Sequence, residues 1–256
     1  MTLSYRTTTT RSLAGQESET TDFFTISYHH LLKSMFRVDI RTNSSEEMLE
    51  LDADTRRYVS ERSPGDYIGH WIPTNLHVGD SITLNPSLQY TVHSANDTFQ
   101  LVDVEGGIGV RAFRLLARFT ITDPQGVKWD VSITRHYEAL TGLWIGSVLN
   151  ATVFFGTLNG TLKQEVVLVG NGIDTDGDSL TDLKELFVTH SNPGLVDTDN
   201  DFWNDVLDPL PTNGLIPNTL LVALVLSAAI AVILILKWSG RTGETEVQES
   251  QSTTFQ

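Results

Sequence analysis

Between residues 110 and 137 apolar and polar side chains alternate. Phe113, Leu115, Ala117, Phe119 and Ile121 share one face of an extended chain. After Asp123-Pro124-Gln125-Gly126, the residues Val127, Trp129, Val131 and Ile133 do the same, with Lys128, Asp130, Ser132 and Thr134 opposite. A period of two marks a half-buried strand. Pro at the second turn position and Gly at the fourth suit a type I turn, so 110–137 is predicted to be an antiparallel hairpin. Asn159-Gly160 predicts another, joining strands near 148–158 and 161–169. Gly106-Gly107 predicts a third turn. The segments Leu51–Val59 and Tyr137–Ile145 echo one another as apolar, acid, Ala, x, Thr, x, x, aromatic, β-branched. Each is expected to be a strand, a tight turn and a return strand.

The same pattern divides the chain. Residues 1–21 are rich in Thr and Ser and are expected to be a disordered linker. Residues 22–170 predict an antiparallel β-rich domain. Residues 171–214 are acidic. Residues 215–237 are apolar, and 238–256 form a polar tail expected to be disordered and cytoplasmic. The predicted class is mainly β, with a short ion-binding segment and a single C-terminal transmembrane helix.

Leu215 to Leu236 carries no charge. At about 1.5 Å per residue it spans roughly 33 Å as a helix, enough for a bilayer core. Pro217 sits at its entrance, where a helix start tolerates it. Lys237, Trp238 and Arg241 follow, matching an interfacial aromatic and cytoplasmic bases. This orientation places residues 1–214 outside the cell. No apolar run resembling a signal peptide opens the chain, so export implies a start further upstream or a longer parent protein; the alternative is a tail anchor with residues 1–214 in the cytosol.

Charge sharpens the picture in one place. The chain has 17 basic and 32 acidic residues, a net charge of −15. Ten of those acids, against one base (Lys184), fall between residues 170 and 210. No basic face is apparent, which argues against nucleic acid as a partner. The absence of cysteine excludes disulfides, thiolate catalysis and Cys-ligated zinc.

Within the acidic stretch, Asp174, Asp176, Asp178, Asp182 and Glu185 occupy positions 1, 3, 5, 9 and 12 of a twelve-residue loop, with the Leu180 carbonyl at position 7. That is the oxygen set of an EF-hand-like calcium loop. Ca²⁺ takes six to eight hard oxygens at about 2.3–2.6 Å, and alternating short acids in a tight turn can converge on one centre. Asp197, Asp199, Asp201, Asp205 and Asp208, with the Trp203 carbonyl, repeat the set 23 residues later (197 − 174 = 23). Position 6 of such loops turns sharply and usually holds Gly. Here it is Ser179 and Phe202. A residue other than Gly at positive φ costs roughly 1 kcal/mol, more if bulky. The Asp174 loop is therefore expected to bind more tightly, and Asp208 is one methylene shorter than the usual Glu.

Asp174–Asp208, with the spacer Thr189-His190-Ser191-Asn192-Pro193, resembles tandem thrombospondin type 3 repeats of prokaryotic surface proteins. Asp208-Pro209-Leu210-Pro211-Thr212-Asn213 before an apolar segment is similar to archaeal members. A dockerin-like duplicated calcium module is the nearest rival. The resemblance implies Ca²⁺ binding and rigidity rather than catalysis. The expectation is a non-enzymatic, single-pass cell-surface protein whose calcium loops stiffen a stalk below a β-rich ectodomain. The alternatives are a receptor-like domain for a lipid, sugar or protein, and a surface hydrolase. The last lacks any Gly-x-Ser-x-Gly, His-Glu-x-x-His or phosphate-loop motif.

Overall fold

The computed structural model describes residues 1–59, 69–85, 88–103, 106–155, 158–170, 172–214 and 223–235. It divides into two compact units, Met1–Ile173 and Asp174–Gln256. The first is a mainly antiparallel sheet. In chain order its strands are β1 (Thr2–Leu13), β2 (Gln16–Leu32), β3 (Met35–Arg41), β4 (Glu46–Asp52), β5 (Arg57–Tyr58), β6 (Ser81–Asn85), β7 (Leu88–Asp103), β8 (Gly106–Thr122), β9 (Lys128–Glu138), β10 (Trp144–Phe155) and β11 (Leu158–Val169). The sheet order is β5-β4-β3-β2-β1-β11-β10-β9-β8-β7-β6. A single parallel pair, Val169 with Val102, also joins β11 to β7. That contact draws β7 to β11 round on themselves.

The predicted 110–137 hairpin is present as β8 and β9, with Phe119 opposite Val131 and Ile121 opposite Trp129. Asp123 Oδ1 accepts from the backbone N–H of Gln125 and Val127, and Gly126 takes φ 82. The echo also holds in three dimensions. Leu51 pairs with Tyr58, as Tyr137 pairs with Trp144. In each turn the acid accepts from the Thr three residues after it (Thr55, Thr141), and the next residue has positive φ (Arg56, 56; Gly142, 74).

Three expectations are corrected. Residues 1–21 are not a loose linker: β1 pairs with both β2 and β11 near the middle of the sheet. Thr is β-branched and fits a pleated surface, and Leu3 and Tyr5 anchor the strand in the core. Asn159 and Gly160 do not form the turn. They lie inside β11, opposite Phe154 and Val153. A Cβ on Gly160 would come within 3.0 Å of Leu13 and closer still to Val153, so this glycine serves close packing. Gly106 and Gly107 likewise open β8, paired with Asp103 and Val102.

Tyr5, Ile26, Val38, Leu51 and Leu115 are fully buried on the core face. The segment Gly69–Ile72 lies over this face. Ile72 donates to the Gly142 carbonyl at 2.9 Å, Trp71 Nε1 to Thr141 at 2.8 Å, and the Gly69 carbonyl accepts from Tyr137 Oη and Arg135 Nη1, each at 2.8 Å. The Arg135 guanidinium lies 5.6 Å from both the Tyr90 and the Trp144 ring centroids, within the range of a cation–π contact. Beyond Ala117 the apolar face continues uncovered: Ile121 is 50% exposed. Phe119, Trp129, Val131, Leu149 and Leu162 flank a depression of about 330 Å³.

Two histidines make this unit acid-sensitive. Burial, then the nearby Arg135 charge, lowers the pKa of His70 to about 3. Burial lowers that of His136 to about 4, with the Arg114 charge adding to it and Asp97 opposing it. Unfolded, each would titrate near 6.5. Below that pH the unfolded chain binds more protons, so the stability present above pH 6.5 is lost as pH falls toward 4. Allowing for partial exposure, about 2 kcal/mol should be lost between pH 7 and 5. Urea denaturation followed by Trp fluorescence at the two pH values checks this.

In the second unit residues 223–235 are helical, with aliphatic side chains exposed along their length. Among the described residues no helix is long and apolar enough to cross a membrane. Residues 215–222 and 236–256, which hold the rest of the expected span and the whole expected tail, lie outside the described residues.

Candidate metal centre

Two carboxylate groups form where the loops were expected. Asp174, Asp176 and Asp178 each bring an oxygen within 4.8 Å of the other two, and Asp197, Asp199 and Asp201 do the same. The backbone imposes this convergence. Asp174 accepts from the N–H of Gly177 (2.7 Å) and Ser179 (3.0 Å), and Asp178 from Leu180 (2.7 Å). In the second loop Asp197 accepts from Asp201 (3.2 Å) and Phe202 (2.9 Å), and Asp201 from Trp203 (2.9 Å). Each loop thus folds around its own acids.

Positive φ falls at position 6 as expected, 82 at Ser179 and 78 at Phe202. Position 4 is also left-handed, with Gly177 at 81 and Asn200 at 60. The Phe202 side chain is 94% exposed, so it offsets none of this strain by packing. Phe202→Gly should relieve about 1 kcal/mol and raise the affinity of the second loop about five-fold. A calcium titration of the variant against the parent reads this directly.

Position 9 differs from expectation. Asp182 does not join the first group: its two oxygens accept from Thr175 N–H (2.9 Å) and Thr175 Oγ1 (2.7 Å). Asp205 repeats this with Thr198 at the same two distances. Both carboxylates latch the start of the loop to its end. Thr at position 2 of each repeat is the sequence signal for that role. Leu180 and Trp203 donate their N–H groups to Asp178 and Asp201, a role separate from the carbonyls expected of them at position 7.

Position 12 is buried in both loops. Asp182–Lys184 is one α-helical turn, capped by the Thr181 side chain, and Glu185–Thr189 continues it as a π-helical turn. This carries Glu185 inward to full burial. Its Oε1 accepts from Ser191 Oγ at 3.3 Å, while Oε2 is buried without a partner. Burial, then the charges of Asp176 and Asp178, raises its pKa to about 7. In the second loop Asp208 is 6% exposed, with Oδ1 accepting from Leu210 and Oδ2 buried and unpartnered. Burial raises the pKa of Asp199, with Asp201 and Asp208 adding to it. The shorter Asp208 is thus buried near Asp199, though it is not one of the three acids whose oxygens lie within 4.8 Å of one another.

Asp176 Oδ2, Asp178 Oδ2 and Glu185 Oε2 in the first loop, and both Asp199 oxygens, Asp201 Oδ2 and Asp208 Oδ2 in the second, are buried carboxylate oxygens with no hydrogen-bond donor. Leaving such oxygens unpaired is costly, because burial strips water from a charge without replacing it. A hard cation fits this donor set, which is all oxygen and carries no nitrogen or sulfur. Among the described residues no histidine joins either group. No protein-family model matches the chain, and no curated protein matches it.

Proposed function

We propose that the two loops bind Ca²⁺ as tandem thrombospondin type 3-like, EF-hand-like sites in a membrane-anchored surface protein. The supporting observation is Glu185: fully buried, one oxygen unpartnered, and facing Asp176 and Asp178. Asp174, Asp176, Asp178 and Glu185 hold one ion, and Asp197, Asp199, Asp201 and Asp208 the other. Asp182 and Asp205 hold the loops closed, at most reaching the ion through water, as position 9 often does. The ion neutralises acids that otherwise repel one another, and so orders the segment that links the sheet to the C-terminal apolar helix. That helix, exposed along residues 223–235, is the core of a single-span anchor extending over 215–237, with residues 1–214 outside the cell and the tail in the cytoplasm. Extracellular calcium modules bind at about 10⁻⁴–10⁻³ M, the range in which external calcium would keep the linker folded. The role is structural rather than enzymatic.

The test uses the full chain in detergent, melted in EDTA and in excess Ca²⁺. At 100 times the dissociation constant each site contributes about 2.7 kcal/mol to the calcium-bound form. The melting of the acidic unit should therefore move up by several degrees with Ca²⁺ and hardly at all with Mg²⁺. Identical melts in EDTA and Ca²⁺ would overturn the reading.

One observation favours a second role for the sheet. The uncovered apolar depression beside Phe119, Ile121 and Trp129 suits a receptor-like domain for a lipid, a sugar face or a partner protein. Patches of this kind commonly mark interaction surfaces.

A further inference from the structure

On the opposite face of β8, β9 and β10 the side chains form rungs. Arg114 lies beside His136. Two residues on come Leu116, Thr134 and Val148, then Arg118, Ser132 and Asn150. Cross-strand neighbours are about 4.8 Å apart and successive rungs about 6.8 Å. These residues and His93 line a cavity of about 300 Å³. It runs on into a second depression of about 410 Å³ carrying Thr120, Asp130 and Thr152.

We propose that this groove binds an acidic saccharide, a uronate-bearing sugar chain, by its carboxylate and hydroxyl groups. Four observations carry it. First, the groove is amphipathic along its length: an aliphatic rung, Leu116 and Val148, lies between two polar ones. A pyranose ring has the same make-up, with C–H patches on its faces and hydroxyls at its edge. Second, Arg118 is exposed and has no acid partner among the described residues, whereas Arg114 is paired with Asp97 at 3.2 Å. A free guanidinium above Ser132 and Asn150 is a ready bidentate partner for a carboxylate. Third, His136 Nδ1, in the groove wall, is buried without a hydrogen-bond partner. The Phe99 ring backs it at 4.5 Å and holds the imidazole in place. Fourth, the charged residues lining the two depressions are Arg114, Arg118 and Asp130, two bases to one acid, in a chain of net charge −15, so the groove repels an anionic ligand less than the rest of the chain does. The two volumes together suit a short oligosaccharide lying along the strands.

The groove is independent of the calcium loops, and the test keeps the two apart. The full chain in detergent is titrated calorimetrically in EDTA with an oligogalacturonate, with a neutral oligoglucoside of equal length and with inorganic sulfate. Binding of the oligogalacturonate in EDTA, at least ten-fold tighter than the neutral sugar or sulfate, is the expected result. Arg118→Gln should weaken it ten-fold or more while leaving the melting temperature unchanged, since Arg118 is exposed. Ser132→Ala with Asn150→Ala should weaken it as well. No binding in EDTA, equal binding of sulfate, or unaltered binding by Arg118→Gln would each overturn the proposal. Binding that appears only with Ca²⁺ would also overturn it, because it would place the sugar at the acidic loops.

Discussion

Glu185→Gln should stabilise the chain in EDTA and destabilise it in Ca²⁺. The opposed signs distinguish a metal ligand from an ordinary buried acid. Without the ion, the Glu185 carboxylate is fully buried, its Oε2 lacks a donor, and Asp176 and Asp178 repel it. The amide has nearly the same shape, carries no charge and can donate to a neighbouring aspartate. Removing an unpaired buried charge in this way is favourable. With the ion, the same change deletes one anionic ligand, and the coupling of about 2.7 kcal/mol expected at 100 times the dissociation constant falls away. The pH dependence follows the same logic. The pKa of Glu185 is raised in the ion-free fold, to about 7 against about 4.3 unfolded. Protonation therefore stabilises the ion-free unit as pH falls through 7, and the gain is complete below about pH 4.3. Melts of parent and variant in EDTA and in Ca²⁺ give all four values. A variant destabilised equally in both conditions would make Glu185 a packing residue.

The second large effect lies in the sheet. Gly142→Ala is expected to cost roughly 3 kcal/mol or more, or to prevent folding altogether. Gly142 has φ 74, a conformation side chains rarely adopt. A Cβ there would also overlap the Ile72 carbonyl oxygen and the Arg56 guanidinium. The damage spreads because Gly142 accepts from Ile72 N–H at 2.9 Å, tying the Gly69–Ile72 segment to the core face. The matching position of the sister turn is Arg56, at φ 56. There the left-handed strain is tolerated because the guanidinium donates to the Ile72 carbonyl and lies 5.0 Å from the Trp71 ring. Alanine at 142 brings the strain with no such return. Gly126→Ala is the control: φ is 82, but nothing lies within 4 Å of its Cβ, so it should cost about 1 kcal/mol.

How far the fold could be read from the chain varies with the range of the interactions that set it. The β8–β9 hairpin was legible because alternation and turn chemistry agree within 28 residues. The matched turns at 51–59 and 137–145 were legible as strand, tight turn and return strand, but the positive φ of Arg56 and Gly142 was not. The Thr-rich opening was not. It joins the sheet through a tight hairpin to β2 across Ala14-Gly15, both at positive φ, and through β11, some 150 residues away, while its polar surface resembles a linker. Nor was the contact between Val102 and Val169 legible. The strand leading to it, β7, passes through register shifts near Ser94 and Asp97, which interrupt the alternation that marks a strand.

In the acidic loops the spacing located both three-acid groups and the strained position 6. It did not distinguish the latching acids, Asp182 and Asp205, from the converging ones. That assignment depends on which backbone and hydroxyl donors each carboxylate meets. Nor did the spacing show that Asp208 is buried with an unpartnered oxygen near Asp199.

Calcium stoichiometry on the intact chain decides whether both acidic loops are metal sites. Equilibrium binding in detergent should find two Ca²⁺ per chain with unequal affinities. Asp178→Asn with Glu185→Gln should abolish the tighter site, and Asp199→Asn with Asp201→Asn the weaker. No saturable calcium, or two sites that survive both pairs of substitutions, would contradict it.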